Sequence, residues 1–80
     1  MYLEIITPDK NVFQGNVVSS TFPGAKGSFQ VLENHAPLVS SLDQGKVKFK
    51  TETEDKEIRI LGGVVEVLNN KITVLAEGIY

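Results

Sequence analysis

The chain has 80 residues, no cysteine and a net charge of −2, with acidic and basic residues interspersed. A domain of this length has room for only a small core, and without cysteines neither disulfides nor thiolate metal sites can stabilise it. The balanced charge argues against a nucleic-acid partner, and no apolar run is long enough to span a bilayer or to act as an export signal. We therefore expect one soluble domain over residues 1–80, not exported and not inserted in a membrane.

The first part of the chain predicts three β segments and a turn. Residues 2–7 are apolar and β-branched and stop at Pro8, and residues 12–13 predict a further short strand. After Gly15, residues 16–22 predict a longer strand. Because alternate side chains of a strand point to one face, three residues of this run are expected to share a face: Val18, Ser20 and Phe22.

Residues 22–45 fit strand patterning least well and hold the only histidine of the chain. Two bends, at Pro23-Gly24 and Ala36-Pro37, flank a short apolar strand at residues 29–32. The glycines of residues 24–27 predict a tight loop that forms a hairpin tip or a bulge. A rigid protruding feature of this kind suits docking better than catalysis.

The middle of the chain predicts strands joined by turns. Residues 37–42 fit either a strand or one helical turn, and we favour a strand. Residues 46–50 alternate between lysine and apolar residues, and residues 57–60 repeat the alternation, so they predict a hairpin. A two-residue turn at Glu54-Asp55 would place like charges opposite each other, which predicts a wider turn or a shifted register.

The last part of the chain predicts a second hairpin, with Val65 and Val67 inward on its first strand and Ile72, Val74 and Ala76 on one face of its second. Gly62-Gly63 indicates a bulge or a close approach of another segment, and Asn69-Asn70 is typical of a primed turn between residues 64–68 and 71–77. No segment has a helical period, so the fold class is all-β: a small sandwich of about eight to ten short, mainly antiparallel strands. Structural turns are expected at Gly24, Gly27, Gly45, Gly62 and Gly63.

Nothing in the chain makes a convincing catalytic or metal site. His35 has several polar neighbours in sequence, so a small hydrolase is one alternative; the neighbours are Glu33, Ser40, Ser41 and Asp43. A sandwich of 80 residues leaves little volume for a shaped pocket, and one histidine without cysteine is a poor metal set. The glycine loop at residues 24–27 lacks the helix that phosphate loops need. We predict no catalytic residue, no metal and no cofactor, and a docking role for His35, with a histidine that only caps its own loop as the alternative.

Several motifs together resemble the N-terminal domain of the epsilon subunit of F-type ATP synthase: Thr7-Pro-Asp9, Pro23-Gly-Ala-Lys-Gly27, Phe29-x-Val-Leu32, His35-Ala-Pro-Leu38, Gly45, Leu61-Gly-Gly63 and Ile72-Thr-Val-Leu-Ala-Glu77. The resemblance spans the whole chain. It implies a non-catalytic β-sandwich on the central stalk, beside the gamma subunit and on the membrane rotor ring (c-ring), at the cytoplasmic side of the bacterial inner membrane. It implies that the subunit couples rotation of the ring to ATP synthesis.

The resemblance also implies two sets of contact residues. The gamma-binding set is Thr7, His35, Ala36, Pro37, Leu38 and Ser40. The c-ring-binding set is Ala25, Lys26, Gly27, Ser28, Phe29, Gln30 and Val31. The family often has an acidic residue where Ser28 stands, a glycine where Gln30 stands and Pro-Gly where Glu33-Asn34 stands. We therefore expect the ring contact to rest on neutral hydrogen bonds.

Most members of the family continue into a two-helix C-terminal domain that can inhibit the enzyme, whereas this sequence ends at Tyr80. We expect no helical hairpin, no nucleotide binding and a monomer when the chain is isolated. The main alternative function is a free-standing β-sandwich that binds a ligand or carbohydrate.

Overall fold

The computed structural model describes all 80 residues and contains nine β-strands and no helix, which confirms the all-β prediction. The strands are, in chain order, β1 (Tyr2–Ile6), β2 (Asn11–Asn16), β3 (Ser19–Phe22), β4 (Phe29–Leu32), β5 (Leu38–Leu42), β6 (Gly45–Lys50), β7 (Asp55–Ile60), β8 (Gly63–Leu68) and β9 (Lys71–Ala76).

The strands form two sheets. The five-stranded sheet has the order β2-β1-β9-β8-β5, and the four-stranded sheet has the order β4-β3-β6-β7. Neighbouring strands are antiparallel except for β1 and β9, which run parallel with Tyr2 opposite Lys71 and Ile6 opposite Leu75. Beyond β9, residues 78–80 pair with the outer edge of β7, because the Tyr80 amide donates to the Arg59 carbonyl at 3.1 Å. A mainly antiparallel sandwich, as predicted, is the result.

The core lies between the two sheets and is built by alternating residues of both. On β6, Val47 and Phe49 are buried while the lysines between them are exposed, and β8 and β9 alternate in the same way. The buried apolar residues form one cluster: Leu3, Ile5, Val17, Phe22, Val31, Leu42, Val47, Phe49, Ile60, Val65, Val67, Ile72, Val74 and Ala76. The inward faces predicted for the last two strands are confirmed.

The region of β2 and β3 differs from the prediction. Strand β2 continues through Gln14 and Gly15, and β3 begins only at Ser19. Between them the Val17 amide donates to Met1 and the Val18 amide donates to Lys50, each at 2.8 Å, so the chain crosses here from one sheet to the other. The crossing reverses the alternation: Val17 is buried and Val18 is exposed, whereas Val18 was expected on the face of the buried Ser20.

The hairpin of β6 and β7 has the wider turn that the charges predicted. Four residues, 51–54, connect the strands, and Lys48 lies opposite Glu57 while Lys50 lies opposite Asp55. The ammonium nitrogen of Lys50 is 4.0 Å from the Asp55 carboxylate. Opposite charges therefore face each other at two of the three outward lysines, whereas Lys46 lies opposite Arg59.

Two of the predicted special backbone sites are confirmed in the five-stranded sheet. Gly63 has a φ of 150°, and a Cβ there would overlap the Leu75 carbonyl oxygen of the neighbouring strand. Asn69 and Asn70 have φ values of 50° and 61°, as a primed two-residue turn requires. At Gly24, a Cβ would lie 2.6 Å from the Gly27 carbonyl oxygen, so the predicted tight loop also has no room for a side chain.

Candidate docking surfaces

The loop of residues 33–37 carries three of the predicted gamma-binding residues and leads the chain from the four-stranded sheet to the five-stranded sheet. His35, Ala36 and Pro37 are exposed. The His35 amide donates to the Leu32 carbonyl at 3.2 Å, and its ring Nδ1 donates to the Ala36 carbonyl at 2.7 Å. The imidazole thus supports the loop and leaves its other edge in solvent.

Strand β5 continues this surface and presents a partly open edge. Leu38 and Ser40 are half-buried, whereas Val39 between them is 69% exposed. The Ser41 carbonyl accepts a hydrogen bond from the Ala25 amide at 3.0 Å, on the side away from β8. Because the backbone N–H and C=O groups of residues i and i+2 point to the same side of a strand, Val39 also directs its N–H and C=O away from β8. Val39 is therefore the open position of this edge.

A groove lies beside β5 and joins the two predicted contact sets. The Asp43 amide donates to the Pro23 carbonyl at 2.8 Å, and Gly24 forms a bridge with Leu42, so the glycine loop is attached to the end of β5. The groove has a volume of about 510 Å³ and is lined by residues 24–29 on one side and 38–41 on the other. The loop predicted to bind the c-ring and the strand predicted to bind gamma are thus adjacent.

The seven predicted ring-binding residues do not all point the same way. Residues 25–28 are exposed in the glycine loop, and the Lys26 ammonium has no carboxylate within ion-pair distance. Phe29 is half-buried with its ring centroid 5.6 Å from that of Phe22, and Val31 is fully buried in the core. Gln30 is exposed on β4. The accessible part of this set is the loop of residues 25–28 and Gln30.

Thr7 lies apart from the other predicted gamma-binding residues. It is only 7% exposed, and its amide and hydroxyl both donate to the Lys10 carbonyl. Thr7 follows the last residue of β1, and β5 ends on this same side of the sheet. His35 precedes the first residue of β5 and therefore lies at the opposite end of the sheet. Three strand spacings, about 14 Å, also separate β1 from β5. The structure brings the other five residues together without Thr7.

A row of apolar residues, of which Ile6 is half-buried and the others are exposed, crosses the outer face of the five-stranded sheet and was not predicted. Ile6 on β1 lies opposite Leu75 on β9, and Leu75 lies opposite Val64 on β8. Leu75 and Val64 are 55% and 41% exposed. The signal was present in the sequence, because the outward positions of the last two strands include valine and leucine.

A cluster of polar contacts around Glu33 was also missed. The Glu33 carboxylate accepts hydrogen bonds from the Asn70 side-chain amide at 2.6 Å and from the N-terminal amine at 3.0 Å. The Asn34 amide donates to the Asn70 side-chain oxygen at 2.9 Å. These hydrogen bonds, that from Asn70 foremost, lower the pKa of the Glu33 carboxyl below its ordinary value of 4.5. Sequence alone offers no signal for contacts between residues so far apart.

The side chains suggested for the hydrolase alternative do not form a catalytic arrangement. The ring of His35 bonds to its neighbour Ala36, and the Ser40 hydroxyl donates to the Ser41 carbonyl at 3.1 Å. No group of three or more His, Cys, Asp or Glu side chains is placed to hold a metal ion. No helix of the structure is long and apolar enough to cross a membrane.

Comparison with known protein families gives a match over the whole chain. The family described as the β-sandwich domain of the ATP synthase delta/epsilon chain matches residues 1–80. The ATP synthase epsilon chain of Pelotomaculum thermopropionicum is 43% identical over 74 residues, which are 92% of this chain and 55% of that protein. That of Desulfatibacillum aliphaticivorans is 45% identical over 76 residues, covering 94% and 54%. The chain spans about half the length of these curated relatives.

Two solved structures share the fold. A chain in the central stalk and c-ring structure of the Tetrahymena thermophila mitochondrial ATP synthase has a TM-score of 0.86 at 17% identity, covering 99% of this chain and 64% of that chain. A chain in the Euglena gracilis mitochondrial ATP synthase has a TM-score of 0.90 at 21% identity, covering 98% and 51%. At these identities the likeness supports the sandwich fold.

Proposed function

Since this chain belongs to the ATP synthase delta/epsilon-chain family, we propose that it is a non-catalytic subunit of the central stalk of an F-type ATP synthase. There it joins the gamma subunit to the c-ring, so that ion-driven rotation of the ring is transmitted to ATP synthesis. The observation that carries the proposal is the family match over residues 1–80. The subunit would lie at the cytoplasmic side of the bacterial inner membrane and be held there by its protein partners.

The hydrogen bonding and packing of the sandwich support a role in transmitting torque. The chain makes 48 backbone–backbone hydrogen bonds, and the sheets are also joined outside their strands, by the Gly24–Leu42 bridge. The interior is filled by one apolar cluster, and close-packed interiors of this kind have low compressibility. A subunit placed between two rotating partners would therefore pass on displacement with little loss.

The gamma contact is proposed for the exposed loop at residues 35–37 and the adjacent β5 edge. Pro37 fixes one end of the loop, and the hydrogen bonds of His35 hold its middle, so docking costs little conformational entropy. Val39 adds free backbone groups next to this loop. Leu38 and Ser40 contribute from their half-buried positions in the groove, and Thr7 belongs to the surface only if gamma also reaches the far end of the sheet.

The ring contact is proposed for the exposed part of the glycine loop, residues 25–28, with Gln30. Apart from Lys26 these residues are neutral, so hydrogen bonds and packing carry the contact. Interactions of this kind depend little on salt, because screening acts on charges.

The gamma contact is tested by capture of purified gamma with the tagged chain. Leu38 is half-buried against the core, so an aspartate there would also destabilise the domain; Val39→Asp together with His35→Ala is the cleaner variant. We expect this pair to weaken gamma binding by about tenfold or more, ~1.4 kcal/mol. Lys48→Ala, on the outer face of the other sheet, is the control and should bind as the wild type does. Equal binding by all three proteins would refute the surface.

The ring contact is tested by the salt dependence of binding between the assembled stalk and isolated c-ring. We expect nearly the same affinity at low and high salt, and no change in that slope for Lys26→Ala. A steep slope that Lys26→Ala removes would show an ionic contact.

Reconstitution of the whole complex without this subunit should abolish ATP-driven ion pumping; retained pumping would contradict the coupling role itself.

A further inference from the structure

We propose that Asn70 and Glu33 are positioning residues that hold the loop of residues 33–37 in its docking conformation before gamma binds. This inference rests on the proposed function. It assigns a role to a turn between β8 and β9 that lies outside both predicted contact sets.

Three hydrogen bonds connect the loop to distant parts of the chain. The side chain of Asn70 accepts from the Asn34 amide at 2.9 Å and donates to the Glu33 carboxylate at 2.6 Å. The N-terminal amine donates to the other Glu33 oxygen at 3.0 Å. One asparagine side chain thus binds two consecutive loop residues, through one donor and one acceptor.

These hydrogen bonds hold Asn34, whose backbone conformation is unusual. Asn34 has a φ of 62°, a conformation that non-glycine residues rarely adopt. The loop has Pro37 at one end and, at the other, the turn closed by the His35 amide and the Leu32 carbonyl; the Asn70 side chain holds the Asn34 amide inside that turn. Without it we expect the loop to sample conformations in which His35 no longer projects as it does here.

These contacts are exposed, so they contribute more to the order of the loop than to the stability of the fold. When an exposed hydrogen bond or ion pair forms, each group exchanges water for a protein partner at little net gain in free energy. A partner that binds only one loop conformation, however, binds more weakly in proportion to the fraction of molecules that have it. Loss of the contacts should therefore weaken docking while the sandwich stays as stable as before.

Asn70→Gly is the test variant, and Asn69→Gly is its matched control. Both residues have positive φ in the same turn, so glycine relieves the same backbone strain at each. Only Asn70 makes the side-chain contacts, and its carbonyl, which accepts from the Tyr2 amide at 3.1 Å, is kept in the variant.

Three measurements are made on each protein: amide hydrogen exchange at Asn34, thermal unfolding, and gamma-binding kinetics. For Asn70→Gly we expect faster exchange at Asn34, an unfolding temperature no lower than that of the control, and gamma binding about fivefold weaker. Asn69→Gly should match the wild type in exchange and in binding.

The outcomes separate the two proposals. If the wild type does not bind gamma, the proposed function fails. If the wild type binds, the pair His35→Ala and Val39→Asp loses binding, and Asn70→Gly binds as Asn69→Gly does, the positioning role is overturned while the proposed function stands. A fall in unfolding temperature that accounts for the weaker binding would also overturn it, because Asn70 would then be only a structural residue.

Discussion

The two sheets of this small sandwich are stabilised in different ways. In the four-stranded sheet, the outward side chains of β6 and β7 are charged; Lys48 and Lys50 face carboxylates, and only Lys46 faces another cation, Arg59. In the five-stranded sheet, an outward apolar row remains exposed and the backbones of β8 and β9 approach so closely that only glycine fits at position 63. The comparison shows that one sheet depends on close backbone packing and the other on side chains that can rearrange.

The largest expected effect on stability comes from replacing Gly63 in the five-stranded sheet. Gly63→Ala should lower the free energy of unfolding by about 3 to 5 kcal/mol, because a Cβ would overlap the Leu75 carbonyl in a strained backbone conformation. Gly45→Ala in the four-stranded sheet should cost about 1 to 2 kcal/mol, since the new Cβ meets the Pro23 ring at 2.9 Å and the ring can shift. Urea unfolding measures both. Equal losses would remove the contrast between the sheets.

A smaller effect of opposite sign is expected inside the four-stranded sheet. The Ser20 hydroxyl is buried and has no hydrogen-bond partner. Ser20→Ala removes this unsatisfied group and should stabilise the domain by about 1 kcal/mol. Ser19→Ala, at a half-buried neighbouring position, is the control and should stay within about 0.5 kcal/mol of the wild type. A loss of stability in Ser20→Ala would show that the hydroxyl has a partner.

The charged face of the four-stranded sheet should contribute still less. Glu57 lies 3.8 Å from the Lys46 ammonium and 3.9 Å from Arg59 Nε, and all three side chains are largely exposed. Glu57→Gln should change the free energy of unfolding by less than about 0.5 kcal/mol, and the difference should vanish in 1 M salt. A change above about 1 kcal/mol that persists at high salt would show that this face carries more of the stability than its exposure implies.

The smallest effect on stability is expected from Glu33, which lies where the two sheets meet. Its folded-state pKa is lowered by Asn70 and the N-terminal amine, so its contribution to stability is complete above the ordinary value of 4.5 and is lost as the pH falls through the folded pKa. Glu52, which lines the same surface depression, is the other charge nearby. Carboxyl titration by NMR should show a lowered pKa that Asn70→Gly raises and Asn69→Gly leaves unchanged; the same titration in all three proteins would contradict the contacts.

Local pattern was enough to predict much of the fold. The alternation of β6, β8 and β9, the turn at Asn69-Asn70 and the close approach at Gly63 all follow from neighbouring residues, and the structure confirms them. The boundary of β2 was missed because Gln14-Gly15 looks like a break, whereas in the sheet these residues continue the pairing with β1. Pairing with β1 makes residues 14–15 part of β2, and a local sequence pattern holds no information about that pairing.

The candidate surface was predictable only in part. The motif residues at 35–37 lie exposed in one loop, but Val31 and Thr7 are buried, which spacing along the chain did not indicate. The groove between the glycine loop and β5 arises from bonds between the two sheets. The contacts of Asn70 with Glu33 and Asn34 likewise depend on the final packing, so no single stretch of sequence predicts them.

The parallel pairing of β1 with β9 determines when this domain can fold. Strand β9 lies between β1 and β8, so without residues 71–76 the five-stranded sheet is divided into a β2-β1 hairpin and a separate β8-β5 pair. Nearly the whole chain separates the paired residues, and such high contact order slows folding. During synthesis β1 therefore waits for β9, and the two parts of the five-stranded sheet stay separate until β9 has left the ribosome.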